Sequence, residues 1–411
     1  MSAYTIEKID KDFDGLVFIE DKPVKVPFSM QGELVDINKI DTTNAVGVAT
    51  GYKILEFSKE RIAPICPYFT KCGGCKAQHL PQEIDLKQKI TNLIHLLDVN
   101  GINYPPIELI HHYGDKVGHR RRVILSVDNK KLGFKAYRSN NIIDIAKCPI
   151  ATDNINKTIT TLKDIVAKFN HNLKISEITL SDINGNIDVL IKSKSKINRD
   201  VIEAMQVAFV QPSIKKITWN SEILITKEEI NLQYGKYSIP FSSGGFLQAE
   251  KFGEDVLINF VQSNLQNSTK VLDLFCGFGS YTFSLISNKD IAKIHSADLS
   301  ATAIKSMQKY ASQQLKPEVR DLFKNPFSSD FINNFDGVII NPPRAGALAQ
   351  MQEIAKSDIN ELIMIYCSAT TAVRDIVAMQ KYSQLELKKI QVLDQFIYSP
   401  HIEVMIYFAK K

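Results

Sequence analysis

The stretch from residue 241 onward constrains the fold most. Apolar runs of strand length, at 271–275, 294–297, 338–340 and 363–366, alternate with helix-length segments, and a final strand pair follows at 386–394 and 402–408. Strands alternating with helices build a parallel sheet covered on both faces, so the expectation for 241–411 is a doubly wound, Rossmann-like α/β domain. Such sheets bind ligands outside the carboxyl ends of their strands. The run Val271-Leu-Asp-Leu-Phe275 passes there into Cys276-Gly-Phe-Gly-Ser280 and a helix. Gly277 and Gly279 let the backbone turn tightly and approach a ligand, although a Gly-x-Gly turn alone is equally a structural turn.

Two acids sharpen the reading. Asp298 closes the next strand, about twenty residues on, where a nucleotide-binding α/β fold places a carboxylate for ribose hydroxyls. Asp321, in Val-Arg-Asp-Leu-Phe, follows the third strand and could accept from an adenine amino group, with a surface carboxylate as the alternative. No Gly-x-x-x-x-Gly-Lys run is present, which argues against ATP and favours a small adenosine cofactor such as S-adenosylmethionine.

A chain of 411 residues exceeds what one hydrophobic core usually supports, so several domains are expected. Residues 1–60 alternate short apolar segments with turns at Gly15 and Gly32 and read as a small OB-like β-barrel. Residues 61–240 mix strand-like runs with helical stretches near 152–169 and 198–210 and read as an α+β middle domain. One helix at 82–98 carries Leu86, Ile90, Leu93, Ile94 and Leu97 on a single face that must dock somewhere. No repeat stands out, and Lys192-Ser-Lys-Ser-Lys196 reads as a solvated basic turn. The formal charge of +5 permits nucleic-acid binding without demonstrating it. With no membrane-length apolar run and no signal-peptide start, a cytoplasmic protein is expected.

In a reducing compartment, clustered cysteines point to metal or catalysis. Cys66, Cys72 and Cys75 form a C-x5-C-x2-C run, and Cys148 supplies a fourth thiol, a set suited to zinc or to an iron–sulfur cluster. Cys367 stands apart, at the carboxyl edge of the fourth strand near a helix start, where the helix dipole favours thiolate. Asn341-Pro-Pro-Arg344-Ala-Gly346 ends a neighbouring strand, its prolines fixing a turn that can aim the Asn341 amide into the cleft, and His401-Ile-Glu403 lies near the end of the chain. His119-Arg-Arg-Arg122, with Lys130, Lys131, Lys135 and Arg138 and the interleaved Phe134 and Tyr137, makes a patch able to hold phosphates and stack bases.

Together these motifs closely resemble the RNA uracil-5 methyltransferases, the type that modifies ribosomal RNA and the tRNA thymine loop, over nearly the whole chain. The resemblance implies that Cys367 adds to carbon 6 of uracil, that carbon 5 takes the methyl group, and that Glu403 removes the carbon 5 proton. It implies cofactor contacts at Gln248, Phe275, Gly277, Gly279, Ser280, Asp298, Asp321 and Asn341. RNA contacts would come from Asn341, Arg344, Arg120, Arg121, Arg122 and Phe134. It favours a structural [4Fe–4S] cluster over zinc on Cys66, Cys72, Cys75 and Cys148. It also makes residues 1–60 a TRAM-type RNA-binding barrel, marked by Phe28-Ser-Met-Gln-Gly-Glu33, and docks the 82–98 helix on the methyltransferase domain. Members with four such cysteines mostly act on 23S rRNA, which is the expected substrate, with tRNA as the alternative; a monomer without membrane contact is expected. Three positions depart from the family: Asn341 replaces aspartate, Asp298 replaces glutamate, and Phe-Leu-Gln-Ala-Glu surrounds Gln248.

Two rival readings differ in kind. Asn-Pro-Pro also serves enzymes that methylate exocyclic amino groups, but those usually carry an aromatic residue next, where this chain has Arg344. A non-catalytic RNA-binding factor would have lost Cys367, Glu403 or the glycine turn, and all three are present.

Overall fold

The computed structural model describes residues 3–110 and 117–411. Two compact units divide the chain. One comprises Met1–His95, Phe134–Ile143 and Phe396–His401; the other comprises Leu96–Gly133, Asp144–Gln395 and Ile402–Lys411.

In the first unit, short strands pair in the order Ala3–Thr5, Leu34–Asp41, Gly47–Glu56, Lys22–Val26, Gly15–Ile19 and Lys8–Ile9. The two outer members are halves of one extended stretch, which pairs first with Leu34–Asp41 and then with Gly15–Ile19. Alternating side chains from these strands, among them Ile6, Val17, Val24, Val26 and Val35, fill a small core. The Phe28–Glu33 stretch folds around a buried ion pair. Glu33 accepts from Met30 N–H and from Arg61 Nε at 2.6 Å. The 82–98 helix runs Gln82–Val99 with Leu86, Leu93 and Leu97 buried, and the boundary between the two units falls within it.

In the second unit, Arg122–Asp128, Ile175–Ile183, Asn186–Ser193, Ile214–Trp219 and Glu222–Thr226 lie side by side in one sheet. Helices Asp153–Leu173 and Arg199–Phe209 bury Ile155, Ile159, Leu162, Val201 and Met205, the helical spacing expected of faces turned to a core.

The same unit holds an eight-stranded sheet. Its order is Leu315–Val319, Lys293–Asp298, Lys270–Leu274, Gly337–Ile340, Glu361–Tyr366, Glu403–Ala409, Glu386–Leu393 and Ile107–Ile110. Pairing is parallel through Glu361–Tyr366, while Glu403–Ala409 runs antiparallel to both its neighbours. The central strands are buried throughout, as the unbroken apolar runs require of a sheet covered on both faces. Winding reverses between Lys270–Leu274 and Gly337–Ile340, and that switch opens the cleft at their carboxyl ends. This is a doubly wound α/β fold. Among the described residues no helix is long and apolar enough to cross a membrane.

Candidate active site

The glycine turn is built by backbone demands. Phe275, Gly277 and Gly279 all hold positive φ, at 58°, 54° and 80°. A Cβ on Gly279 would strike Met307 Cε at 2.7 Å, whereas the Cβ side of Gly277 meets nothing within 4 Å. Gly277 therefore faces open space, as a backbone made for a ligand does. Asp298 ties this turn: Oδ2 accepts from Gly277 N–H at 2.9 Å and Oδ1 from Ser300 N–H at 2.7 Å.

A second acid, Asp273, is fully buried within its strand and holds the following helix Ser280–Leu285 by its first turn. Its Oδ2 accepts from Thr282 N–H and, at 2.6 Å, from Thr282 Oγ1. Burial pushes its carboxyl up to about 7. Asp321 accepts from Phe323 and Lys324 N–H in a local turn, and Phe323 leans on the Phe275 ring at 5.4 Å. Ser280 begins the helix after Gly279, half-buried.

Across the switch point, Asn341 follows Gly337–Ile340 and its Nδ2 donates to Tyr281 Oη at 3.0 Å. One amide hydrogen is thus used inside the protein, leaving the oxygen and the other hydrogen for a base. Arg344 is exposed, and the loop behind it closes through Gly346 N–H to the Pro343 carbonyl at 2.8 Å. Asp375, fully buried, fastens that loop to strand Glu361–Tyr366. It accepts from Ala347 N–H at 3.0 Å, from Tyr366 Oη at 2.8 Å and from Arg374 Nε at 2.8 Å.

Cys367 directly follows Tyr366, and Glu403 opens the antiparallel neighbour strand. Since Tyr366 registers with Val404, the next step of the pairing sets Cys367 opposite Glu403. Glu403 is fully buried and its carboxyl is pushed up to about 7 by desolvation, against a hydrogen bond from Gln395 that favours the charge. Gln395 Nε2 also reaches Gln248 Oε1 at 3.3 Å.

The thiol corrects one expectation. Cys367 does precede helix Ala369–Tyr382, but burial and the Glu403 charge push it up to about 11, and the Arg344 charge only partly opposes this. Desolvation outweighs the helix dipole, so the resting group is a thiol.

The basic strip divides. Arg121 is buried and its guanidinium is used within the protein, on Glu254 Oε2 and on the Gln248 carbonyl, both at 2.9 Å. It supports the segment bearing Gln248 and has no surface for a phosphate, unlike the expected RNA contact. Arg120 and Arg122 are half-buried, and Arg122 Nε is buried with no hydrogen-bond partner among the described residues. Phe134, half-buried, belongs to the other unit.

The expected four-thiolate site is not assembled by the described side chains, among which no three His, Cys, Asp or Glu residues stand together as metal ligands. All four cysteines are partly exposed and in no disulfide. Cys72 accepts from Gly74 N–H at 3.4 Å, and burial with the neighbouring Cys66 pushes its thiol up. Ligation of a metal ion requires thiolates.

Asp273, Tyr281, Asp375 and Gln395 escaped the sequence reading. A lone aspartate inside an otherwise apolar strand was a usable signal for Asp273; the others act through partners distant in sequence.

The fold and this cleft define a methyltransferase. Residues 243–362 match the model "Methyltransferase small domain", and 329–411 match "tRNA (Uracil-5-)-methyltransferase". A protein of Caulobacter vibrioides named as an uncharacterized RNA methyltransferase is 29% identical, with 100% of each chain covered. A Vibrio vulnificus protein named 23S rRNA (uracil(1939)-C(5))-methyltransferase is 25% identical, over 98% of this chain and 95% of that one. In fold, the chain matches the Pyrococcus abyssi tRNA (uracil-54, C5)-methyltransferase, solved in complex with S-adenosyl-L-homocysteine. The TM-score is 0.78 at 19% identity, covering 99% of this chain and 100% of that one. The chain is an enzyme, an RNA methyltransferase, and its residues 329–411 are similar to the uracil-5 methyltransferases.

Proposed function

We propose that this enzyme methylates carbon 5 of a uridine in 23S rRNA, with S-adenosylmethionine as methyl donor and Cys367 as covalent nucleophile. The observation that carries the reading is the placing of a cysteine and a glutamate opposite each other at the carboxyl-end cleft, with Asn341 and Arg344 on the adjoining loop. The methyl donor supplies an electrophilic methyl group. Gln248, Phe275, Gly277, Gly279, Ser280, Asp298, Asp321 and Asn341 are its proposed contacts, and the open side of Gly277 fits it.

Carbon 5 of uracil is a poor nucleophile, so addition at carbon 6 comes first. The Cys367 thiol gives its proton to solvent, the thiolate sulfur bonds to carbon 6, and the electrons of the 5,6 double bond move toward O4 as an enolate. Glu403 and Cys367 repel each other's charge, so a proton on Glu403 makes the thiolate less costly. Carbon 5 then takes the methyl group, and the electron pair of the broken bond would stay with the donor's sulfur. Glu403, having passed its own proton to solvent, removes the carbon 5 proton as carboxylate; those electrons rebuild the double bond and Cys367 leaves as thiolate. A carboxyl near 7 suits this work at neutral pH.

The target base must leave its stack, so an unpaired loop is the substrate form. Arg120, Arg122, Arg344 and Phe134 are the proposed RNA contacts; the exposure of Arg344 and the partial exposure of Arg120 and Arg122 support this. Residues 1–60 are proposed as an RNA-binding barrel, supported by the stretch that pairs on both its sides. Residues 61–240 would be the middle domain and 241–411 the catalytic one. Cys66, Cys72, Cys75 and Cys148 remain proposed ligands of a structural [4Fe–4S] cluster, on their spacing and the Gly74 N–H bond to sulfur.

The test is nucleoside mass spectrometry of rRNA and tRNA from cells lacking this protein, complemented with wild type or Cys367→Ala. Loss of 5-methyluridine from 23S rRNA, restored only by wild type, is expected. Loss from tRNA alone would move the substrate, and restoration by Cys367→Ala would sink the mechanism.

A further inference from the structure

The base proposed above is held by a residue that neither motif nor chemistry singled out. Gln395 lies two residues beyond Leu393, the register partner of Glu403, and is 1% exposed. Its single nitrogen donates twice, to Glu403 Oε2 at 2.7 Å and to Gln248 Oε1 at 3.3 Å. Its oxygen is buried with no hydrogen-bond partner among the described residues. A buried unsatisfied amide oxygen costs stability, and an apolar side chain of similar length would avoid that cost. The helix beside it makes room. A Cβ on Gly253, near the start of Lys251–Asn264, would stand 2.4 Å from Gln395 Oε1 and 3.1 Å from its Cδ. A glycine inside a helix is itself unfavourable, so two costs are borne to keep this amide in one place.

We propose that Gln395 is a positioning residue for proton removal: its amide clamps one oxygen of Glu403 and ties the base to the Gln248 side chain, so that the other carboxylate oxygen is aimed at carbon 5. The inference rests on the uracil-5 reading and concerns only its last step. There the C5–H electrons become the C5–C6 double bond, the proton passes to Glu403, and the Cys367–C6 bond breaks with its electrons going to sulfur. With the clamp removed, addition and methyl transfer proceed while this elimination lags. A methylated enzyme–RNA adduct then accumulates. A residue that merely filled space would slow every step together or lower the amount of folded enzyme.

The experiment uses the full-length enzyme and total RNA from cells lacking the protein, labelled with tritium at uracil carbon 5. Unlabelled S-adenosylmethionine serves to follow tritium release, and methyl-labelled cofactor with unlabelled RNA serves to follow denaturant-resistant protein–RNA complex. Two variants are compared with wild type, Gln395→Met and Gly253→Ala. The second displaces the amide without altering it and raises helix propensity. Expected for both is a burst of methyl label in the complex, tritium release slowed about tenfold or more, and S-adenosylmethionine affinity within about twofold of wild type. Complex that clears at the wild-type rate in both variants overturns the proposal. So does uniform slowing with weakened cofactor binding, which would assign Gln395 a packing role. If Gln395→Met fails to fold, the Gly253→Ala result decides. If wild type itself releases no tritium, the uracil-5 reading fails, a result separate from failure of the clamp.

Discussion

Glu403 occupies a place that costs the fold stability. Burial raises its carboxyl from an ordinary 4.5 to about 7, a shift equivalent to roughly 3 kcal/mol. Because the folded-state value is the higher one, the folded form binds its proton more tightly. That stability is complete below 4.5 and is lost as pH rises through 7. Glu403→Gln removes the penalty, so the variant should gain stability over wild type, and the gain should be roughly 2 kcal/mol larger at about pH 8.5 than at about pH 5.5. Urea unfolding at the two pH values measures this; a pH-independent difference would count against the buried carboxylate. The same variant should form adduct and fail to release product. Asp375 poses the opposite case, a buried carboxylate with three donors turned on it. Asp375→Ala should cost about 3 kcal/mol or more in urea unfolding, since those donors lose a charged acceptor. Loosening the tie between the Arg344 loop and Tyr366 should also slow adduct formation.

At the scale of elements, the strand-to-helix turn after Leu274 joins stability to binding. Gly279 holds φ 80° and has no room for a Cβ. Gly279→Ala should therefore destabilise by about 2 kcal/mol or more in thermal unfolding and weaken S-adenosylmethionine binding at least about tenfold by calorimetry. Unchanged binding would mean the turn does not face the cofactor. The central strands were legible because both faces are buried and the apolar runs are unbroken; expected 363–366 lies within the observed Glu361–Tyr366. The helices near 152–169 and 198–210 were legible from their spacing and appear as Asp153–Leu173 and Arg199–Phe209. Cys367 and Glu403 stand out in the sequence as candidates, but their mutual effect does not. Strand order sets Glu403 beside Cys367, and that neighbour raises a thiol which a helix start alone would lower. Gln395 and Asp375 were illegible for the same reason, since what each holds lies on another strand or loop. Arg121 misled because three consecutive arginines do not say which one turns inward to Glu254.

For the whole molecule, a net charge of +5 spread over 411 residues sets a modest electrostatic attraction to RNA. If phosphates are held chiefly by the half-buried and exposed arginines, the Arg120→Gln, Arg122→Gln double variant should bind total RNA more weakly. It should also show a salt slope shallower by about one to two units, with cofactor affinity unchanged. An unaltered slope would place the RNA path elsewhere. The cysteines belong to this scale too, because Cys66, Cys72 and Cys75 lie close together in the sequence and Cys148 far from them. Thiols must lose their protons before they can ligate, so metal loading is coupled to pH and to folding. Enzyme purified without oxygen should carry iron and acid-labile sulfide in equal amounts, about four of each per chain, and should lose both in Cys148→Ser together with thermal stability. Zinc at one per chain, with neither iron nor sulfide, would identify a tetrahedral thiolate site instead. A metal-free chain as stable and as active as the preparation with metal would remove the cluster from the architecture and leave the four cysteines as ordinary thiols.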